Sequence, residues 1–231
     1  MSLLQLEKME SGNWNRAVSF SVQGGEVLLI LGRNGAGKTT LLNTIAGMSP
    51  IRSGKLIFDG KDITLLCDQS RVENGIHIAL EGRKGFSRLT VKKNLLLGAI
   101  TCHKKEIIEN DLEWVISVFP QLEEKLDHLA GTLSGGQQTQ LNIGRALMGQ
   151  PKVLLLDEPA LGLDPINART VADVVRQICT ERRITTIIAE QSGQFLQAFP
   201  QRVLLMAAGE ILFDGSWSAL VREKDLVSYL K

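Results

Sequence analysis

One segment, GRNGAGKT at positions 32–39, restricts the possible folds of this 231-residue chain more than any other feature. It has the spacing GxxxxGK[ST], it follows an apolar run at 27–31, and it precedes a helical pattern at 39–46. Glycines let several backbone N–H groups converge on one phosphate group without Cβ clashes, and the helix N-terminus adds its positive end. The segment therefore predicts a strand, a phosphate-binding loop and a helix in that order.

The side chains of this loop have separate predicted roles. Lys38 is placed to bridge the β- and γ-phosphates of a nucleotide, Thr39 to bind Mg²⁺ through its hydroxyl, and Thr40 to reach the α-phosphate. The other contacts are expected from Gly32, Arg33, Asn34, Gly35, Ala36 and Gly37. An ordinary glycine-rich turn is the alternative, and the flanking strand and helix argue against it.

Composition and charge exclude several classes of protein. Lys and Arg number 26 against 25 Asp and Glu, so the net charge of +1 argues against a protein that mainly holds nucleic acid on a basic face. Three cysteines without CxxC spacing favour reduced thiols over disulfides or a zinc site. No signal-peptide pattern is visible, and the apolar runs fall far below the ~20 residues of a membrane span. We therefore expect any membrane role to depend on a partner protein.

Short apolar runs alternate with helical patterns along much of the chain. The predicted strands are 18–22, 27–31, 56–58, 76–80, 153–156, 185–189, 203–207 and 210–213. Several are apolar throughout, as in a parallel sheet covered by helices on both faces, which predicts an α/β fold. The clearest helix follows Asp164, which suits an N-cap, and Pro165, which suits the first helical position.

The middle of the chain has a different pattern. From roughly residue 81 the strand signals stop, and amphipathic helical patterns follow at 95–100, 106–119 and 122–129. We therefore predict a helical subdomain at about 82–150, inserted into the α/β core of a single domain that comprises residues 1–231.

Two adjacent carboxylates follow the apolar strand 153–156. Asp157 is placed to hold Mg²⁺ beside Thr39, directly or through water. Glu158 points differently, and it can accept a proton from, or orient, the water that attacks a γ-phosphate. A strand that merely ends in solvated acids would be the better interpretation without the phosphate-binding loop.

A second helix with a bare N-terminus is predicted after Leu133. Its first residues are Ser134, Gly135, Gly136 and Gln137. Ser134 and Gln137 form a capping box, and the two glycines leave room for a phosphate group at the helix N-terminus. Because one loop already serves the nucleotide, we expect this tip to contact the nucleotide of another subunit, with two ATP molecules between two subunits. A capped surface helix without a ligand is the alternative.

In this order and spacing, the three elements resemble the nucleotide-binding subunits of ABC transporters. Residues 133–137 match the ABC signature, and 161–164, which end at Asp164, match the D-loop. The resemblance implies a P-loop NTPase core with a mainly parallel sheet, an N-terminal antiparallel β part and an inserted α-helical subdomain. It implies ATP and Mg²⁺ as ligands, and a second ABC ATPase, identical or different, as partner. It also implies transmembrane permease subunits and, indirectly, a solute-binding protein as partners. The location that it implies is peripheral, at the cytoplasmic face of the inner membrane, and the isolated chain is expected to be soluble.

A finer resemblance is to the ATPases of branched-chain amino-acid importers and their urea or amide relatives. Those carry a stretch EGR…F…LTV…NL, found here at 81–95. Glu81 stands where most ABC ATPases have a glutamine that relays to the membrane subunits. Residues 190–192, EQS, stand where most have a switch histidine. Gln191 can hydrogen-bond the γ-phosphate but is no acid or base near neutral pH, so the chemistry is expected to rest on Glu158.

The chain departs from the family pattern near its start and around the stretch at 81–95. Leu80 and Ser87 stand where that branch has prolines, and the tyrosine that usually stacks on adenine is absent. Trp14 is the nearest aromatic residue, and it either stacks on adenine or serves in packing.

The leading hypothesis is an ATP-hydrolysing subunit that energises an importer. An ABC ATPase acting on DNA or ribosomes would be expected to show a coiled-coil insertion, tandem cassettes or a basic face. A regulatory subunit that binds ATP without hydrolysis is a further alternative, against which Lys38, Asp157 and Glu158 argue. A simple P-loop kinase would lack the signature at 133–137.

Overall fold

Ten strands build the sheets of the described chain. The computed structural model describes residues 2–12, 14, 16–80, 85–191, 202–227 and 229. The strands are β1 (Ser2–Ser11), β2 (Val18–Gln23), β3 (Val27–Leu31), β4 (Ile51–Phe58), β5 (Lys61–Asp62), β6 (Ile76–Ala79), β7 (Val153–Asp157), β8 (Thr185–Glu190), β9 (Arg202–Ala207) and β10 (Glu210–Gly215).

The strands form two sheets of different kinds. The larger sheet has the order β10-β9-β3-β8-β7-β6, and its neighbours pair in parallel except β10, which is antiparallel to β9. The smaller sheet has the order β2-β1-β4-β5 and is antiparallel. The predicted α/β fold, with a mainly parallel sheet and an N-terminal antiparallel part, is confirmed.

The helices lie in the connections between these strands, except for the last two, which follow β10. They are α1 (Lys38–Ile45), α2 (Asp68–Glu73), α3 (Val91–Leu97), α4 (Lys105–Val118), α5 (Pro120–Glu123), α6 (Gly135–Leu147), α7 (Pro165–Arg182), α8 (Trp217–Leu220) and α9 (Lys224–Val227), with a 3₁₀ turn at Ala130–Thr132. Helices α3 to α6 all lie between β6 and β7 in the sequence. Within the described ranges, no helix has the length and apolar character of a membrane span.

Two predictions in the middle of the chain differ from the structure. The helix expected at 95–100 begins earlier, because the Thr90 hydroxyl accepts a hydrogen bond from the N–H of Lys93 and caps α3. The helix expected at 122–129 is wrong beyond Glu123, where α5 ends. The following residues pair instead with the start of α3, since the carbonyls of His128 and Leu126 accept the N–H groups of its first two residues, Val91 and Lys92. Long-range backbone bonds therefore replace the helical ones.

Strand β1 was not among the predicted strands, although the resemblance implied an antiparallel part there. Its buried residues are at even positions up to Leu6 and at odd positions from Met9, because its pairing with β2 shifts register between these two residues. Lys8 lies at this irregularity with φ +46°. A bulge interrupts the period-2 pattern by which a half-buried strand is recognised.

The parallel sheet separates two hydrophobic clusters. Alternate residues of β3 face opposite sides, so Leu29 and Leu31 belong to a cluster with α3, α4, α6 and α7. Leu28 and Ile30 belong to a cluster with α1 and the antiparallel sheet. Apolar side chains on both faces explain why the parallel strands are apolar throughout.

Candidate functional site

The predicted phosphate-binding loop joins the carboxyl end of β3, an inner strand of the larger sheet, to the start of α1. A Cβ atom on Gly32 would lie 2.4 Å from the carbonyl oxygen of Met206, so only glycine fits there. Gly37, with φ +102°, directly precedes α1 and has no side chain to cap it. The N-terminus of α1 is therefore open to a phosphate group, which could accept hydrogen bonds from its backbone N–H groups.

Lys38 is buried beneath this loop. Its Nζ donates to the carbonyl oxygen of Gly32 at 2.8 Å and to that of Arg33 at 3.3 Å. The same Nζ lies 3.1 Å from Oε1 of Glu158. The lysine and the acid that were predicted to act on one phosphate group therefore meet directly.

Thr39 and Asp157 form the pair expected for Mg²⁺. The Thr39 hydroxyl donates to Oδ1 of Asp157 at 3.1 Å, although the residues are 118 positions apart. A hydroxyl and a carboxylate from the protein suit Mg²⁺, which keeps several waters and shares its coordination with phosphates. The described ranges contain no group of three or more His, Cys, Asp or Glu side chains that could hold a metal ion. The donor set thus fits Mg²⁺ bound together with a nucleotide.

Glu158 occupies an unusual backbone conformation directly after β7. Its φ is +46°, a value that non-glycine residues rarely adopt and that often occurs at functional sites. Its N–H donates to the carbonyl of Ala189 at 2.9 Å. Its Oε2 accepts a hydrogen bond from Nε2 of Gln191 at 2.7 Å. The carboxylate of Glu158 is therefore held between Gln191 and Lys38.

Glu190 is a buried acid at this site for which the sequence analysis predicts no role. It ends β8, is 3% exposed, and accepts a hydrogen bond from the N–H of Ala160 at 3.2 Å. Burial raises the pKa of Glu190 to about 7, and the nearby charge of Glu158 adds to the increase. The sequence contains one signal for a role of Glu190: a charged residue ends an apolar run and directly precedes the predicted site residue Gln191.

The signature tip has the predicted cap. Ser134 Oγ accepts the N–H of Gln137 at 3.4 Å, and Gln137 Oε1 accepts the N–H of Ser134 at 3.1 Å. A Cβ atom on Gly135 or Gly136 would meet its nearest neighbours at 3.9 and 3.6 Å, which are ordinary contacts. Packing within this chain therefore does not require either glycine.

A cavity of about 220 Å³ separates α6 from the turn after β7. Gly135 and Asn142 of α6 line this cavity, together with Asp157, Glu158 and Leu163 at and after the end of β7. The signature helix of this chain thus borders the acidic strand end across a cavity, and the hydrogen bonds of its Ser134–Gln137 cap are internal.

Trp14 lies against the start of α1. A Cβ atom on Gly37 would be 3.1 Å from Nε1 of Trp14, and one on Gly209 would be 3.0 Å from its Cδ1. The ring is half-buried against the cluster beneath the antiparallel sheet, and its Nε1 has no hydrogen-bond partner among the residues described. The ring packs beside the phosphate-binding loop, and stacking on adenine stays a prediction.

Three further predicted site residues lie in different parts of the chain. Asp164 caps α7, as its Oδ1 accepts N–H groups from Ile166 and Asn167 at 3.0 and 3.1 Å. Thr40 lies in α1, where its carbonyl accepts the hydroxyl of Thr44 at 2.7 Å. Glu81 lies outside the described residues.

Comparison with known proteins places this geometry in a family. The family described as ABC transporter matches residues 15–161. The chain is 37% identical over 204 residues to the high-affinity branched-chain amino acid transport ATP-binding protein BraG of Pseudomonas aeruginosa, covering 88% of this chain and 87% of that protein. It is 32% identical to the phosphonates import ATP-binding protein PhnC 1 of Rhodopseudomonas palustris, covering 90% of this chain and 80% of that protein.

A solved structure has the same fold. The ADP conformation of an ATP-binding cassette of an ABC transporter superposes with a TM-score of 0.87 at 28% identity, covering 99% of this chain and 98% of that one. Both the matched sequence and the matched fold include the loop, the acidic strand end and the signature helix. The chain therefore belongs to the ABC transporter family, and it is an ATPase of that family.

Proposed function

We propose that this ATPase is the nucleotide-binding subunit that powers an ABC importer, and that it hydrolyses ATP with Mg²⁺ between two ATPase subunits. The observation that carries the proposal is the convergence of three predicted side chains on one point. Glu158 Oε1 lies 3.1 Å from Nζ of Lys38, and Glu158 Oε2 accepts a 2.7 Å hydrogen bond from Gln191. The lysine, the acid and the amide thus share one site at the end of β7.

Each side chain has a task that follows from its chemistry. Lys38 supplies positive charge for the β- and γ-phosphate oxygens. Glu158 accepts a proton from, or orients, the water that attacks the γ-phosphorus, and Gln191 holds Glu158 and can donate to the γ-phosphate. When bound, Mg²⁺ neutralises charge on the phosphate oxygens, and Thr39 and Asp157 would hold it.

The proposed site is completed by a second subunit, identical or different. Ser134, Gly135, Gly136 and Gln137 would contact the nucleotide on the partner, because a helix N-terminus with two glycines can approach phosphate oxygens. Support comes from the two glycines, which packing within the chain does not require, and from the exposure of Ser134 and Gly135.

Coupling to transmembrane permease subunits is proposed for the segment around Glu81, within a helical subdomain at about 82–150. The two sides of this segment are anchored in ways that support the proposal. The carbonyl of Leu80 accepts a hydrogen bond from Asn142 of α6 at 2.9 Å. Asn94 of α3 bonds to both the N–H and the carbonyl of Phe86. Movement of this segment would therefore act on two helices.

Branched-chain or other hydrophobic amino acids, or urea and amides, are the proposed solutes. Support for the amino acids is the 37% identity to BraG, together with the stretch at 81–95. The 32% identity to PhnC 1 makes a phosphonate the second candidate. In either case the proposed location is the cytoplasmic face of the membrane. The proposed partners are the permease subunits and, indirectly, a solute-binding protein.

Glu158→Gln tests the shared hydrolytic site. We expect ATP turnover to be lost, since an amide cannot accept the proton, and we expect a dimer with ATP and Mg²⁺ on gel filtration. Glu124→Gln, at an exposed position after α5, is the matched control and should behave as wild type. A Glu158→Gln protein that stays monomeric with saturating ATP would contradict the shared site, and one that hydrolyses ATP normally would contradict the role of Glu158.

The solute is tested separately in cells that lack this gene. We expect loss of uptake of radiolabelled leucine, with uptake restored by the wild-type gene but not by the Glu158→Gln variant. Loss of phosphonate uptake with normal leucine uptake would select the second candidate.

A further inference from the structure

Three consecutive residues at the end of β8 hold the turn that follows β7. The carbonyl of Ala189 accepts the N–H of Glu158 at 2.9 Å. The carboxyl group of Glu190 accepts the N–H of Ala160 at 3.2 Å, and the amide of Gln191 donates to Oε2 of Glu158 at 2.7 Å. One strand end thus fixes the backbone and the side chain of Glu158 as well as the residue two positions later.

The contact between the Glu190 carboxyl group and the N–H of Ala160 is not replaced by any backbone hydrogen bond within the turn. The turn is closed by a bond from the N–H of Leu161 to the carbonyl of Glu158 at 3.0 Å, and Pro159 has no N–H. Ala160 is 5% exposed, so its N–H cannot rely on bulk water. Without the carboxyl group of Glu190, this N–H would be a buried donor without a partner, which is costly.

The turn needs such support because of the conformation at its start. Glu158 has φ +46°, and a non-glycine residue stays in that region only where its surroundings impose it. This φ also sets the direction in which the Glu158 side chain leaves the backbone, towards Nζ of Lys38. A relaxed turn would therefore move the Glu158 carboxylate relative to the phosphate-binding loop.

We propose that Glu190 is a positioning residue for hydrolysis: its carboxyl oxygen holds the N–H of Ala160 and thereby keeps Glu158 aimed at the nucleotide. The inference rests on the proposed role of Glu158. Glu190 acts through the turn rather than on the substrate, since the contact described here is to a backbone N–H.

The reach of the Glu190 side chain matters here, and its charge does not. Burial raises the pKa of Glu190 to about 7, so the carboxyl group is partly protonated at neutral pH. In both protonation states one oxygen can accept the N–H of Ala160. A neutral side chain of the same length should therefore serve, and a charged but shorter one should not.

Two substitutions separate reach from charge. Glu190→Gln keeps a carbonyl oxygen at the same distance and removes the charge. Glu190→Asp keeps the charge and withdraws the carboxyl group by roughly 1.5 Å, one carbon–carbon bond. We expect Glu190→Gln to keep kcat for ATP hydrolysis within about threefold of wild type, and Glu190→Asp to lower kcat by at least about tenfold with KM for ATP within about twofold. Glu190→Met keeps a side chain of similar length but removes the hydrogen-bond acceptor, and it should lower kcat as much as Glu190→Asp does. It replaces Glu190→Asp if that variant does not fold.

Every other outcome overturns the inference. Equal kcat in all variants would mean that the contact has no effect on hydrolysis. A larger loss in Glu190→Gln than in Glu190→Asp would assign the effect to charge, and an increase of KM in step with the loss of kcat would indicate general disruption of the site. Glu158→Gln is assayed in parallel, because normal hydrolysis by that variant would refute the proposed function rather than the role of Glu190.

Discussion

Nζ of Lys38 lies 3.1 Å from Oε1 of Glu158, and both side chains are buried. The same Nζ donates to the carbonyl oxygen of Gly32 at 2.8 Å. The cation that is expected to bind phosphate oxygens therefore already has an anionic partner in the same chain. A phosphate group entering the loop has to compete with the Glu158 carboxylate for Lys38, so Glu158 should influence nucleotide affinity as well as hydrolysis.

Removing the charge of Glu158 should therefore strengthen nucleotide binding. In Glu158→Gln, the bond between Lys38 and a carboxylate is replaced by a bond to a neutral amide, which is weaker by about 1 kcal/mol. We therefore expect the Kd for Mg–ADP to fall by roughly threefold to tenfold. Isothermal titration calorimetry with ADP measures this affinity apart from ATP-driven dimerisation. Lys38→Ala is the opposite control and should abolish measurable binding. An unchanged or higher Kd for Glu158→Gln would mean that the pair does not oppose binding.

The features that could be predicted from the sequence are local ones. The loop at 32–39, the cap by Asp164 and the capping box at Ser134 each depend on residues within seven positions of one another, so their spacing is visible in the chain. The strand ends at Asp157 and at Glu190 were likewise visible as apolar runs that stop at an acid. The fold class followed because buried parallel strands are apolar on both faces.

The features that could not be predicted depend on distant parts of the chain. The segment after Glu123 has a helical pattern, and backbone bonds to residues 89–92 override it. The contact between Glu190 and the N–H of Ala160 joins positions 30 apart, and nothing near either residue reveals it. Secondary structure that depends on long-range pairing can be identified only in the folded chain. The same is true of contacts between a site residue and a distant part of the chain.

The Thr39 hydroxyl should control the metal requirement of hydrolysis. Thr39→Val keeps the shape of the side chain and removes the donor that contacts Asp157. We expect the Mg²⁺ concentration for half-maximal ATPase activity to rise by at least about tenfold, since loss of one ligand or its neighbour typically costs 10- to 100-fold in metal affinity. A Mg²⁺ titration of the steady-state rate measures it. Thr180→Val, exposed on α7, should leave the titration unchanged, and an unchanged titration for Thr39→Val would remove Thr39 from the metal site.

Asn94 should contribute strongly to stability through its backbone contacts. The side chain is fully buried, accepts the N–H of Phe86 at 2.7 Å, and donates to the carbonyls of Phe86 and Thr90 at 3.1 and 2.9 Å. Asn94→Ala leaves the N–H of Phe86 without its acceptor. It also removes the second donor to the carbonyls of Phe86 and Thr90, which keep only their backbone donors. We therefore expect the free energy of unfolding to fall by about 2–4 kcal/mol. Urea unfolding measures it.

The matched control for this loss is Asn74→Ala. Asn74 also donates to a backbone carbonyl, that of Ser70 at 2.7 Å, but the bond is exposed. Water can replace the exposed bond, so the expected change is within about 0.5 kcal/mol. Equal effects of the two substitutions would contradict the importance of the buried contacts of Asn94.

His77 should make the fold sensitive to mild acid. The residue is 5% exposed, and its ring packs tightly against Gly149, where a Cβ atom would lie only 1.8 Å from the ring Cε1. Burial lowers the pKa of His77 to about 4, from an ordinary value of 6.5. The folded chain therefore holds this imidazole neutral over a range in which the unfolded chain takes up a proton.

The direction of the effect follows from that difference. As the pH falls from 6.5 to 4, the unfolded state gains a proton that the folded state does not, so His77 should reduce the free energy of unfolding by roughly 3 kcal/mol over this range. Urea unfolding of wild type and His77→Gln between pH 8 and pH 4 measures it, because the difference between the two proteins cancels the contribution of the other titrating groups. We expect the free energy of unfolding of the variant, relative to that of wild type, to rise by that amount as the pH falls, since glutamine takes up no proton. A difference that stays constant with pH would show that the folded chain accommodates the imidazolium, and burial of the ring would then not govern its titration.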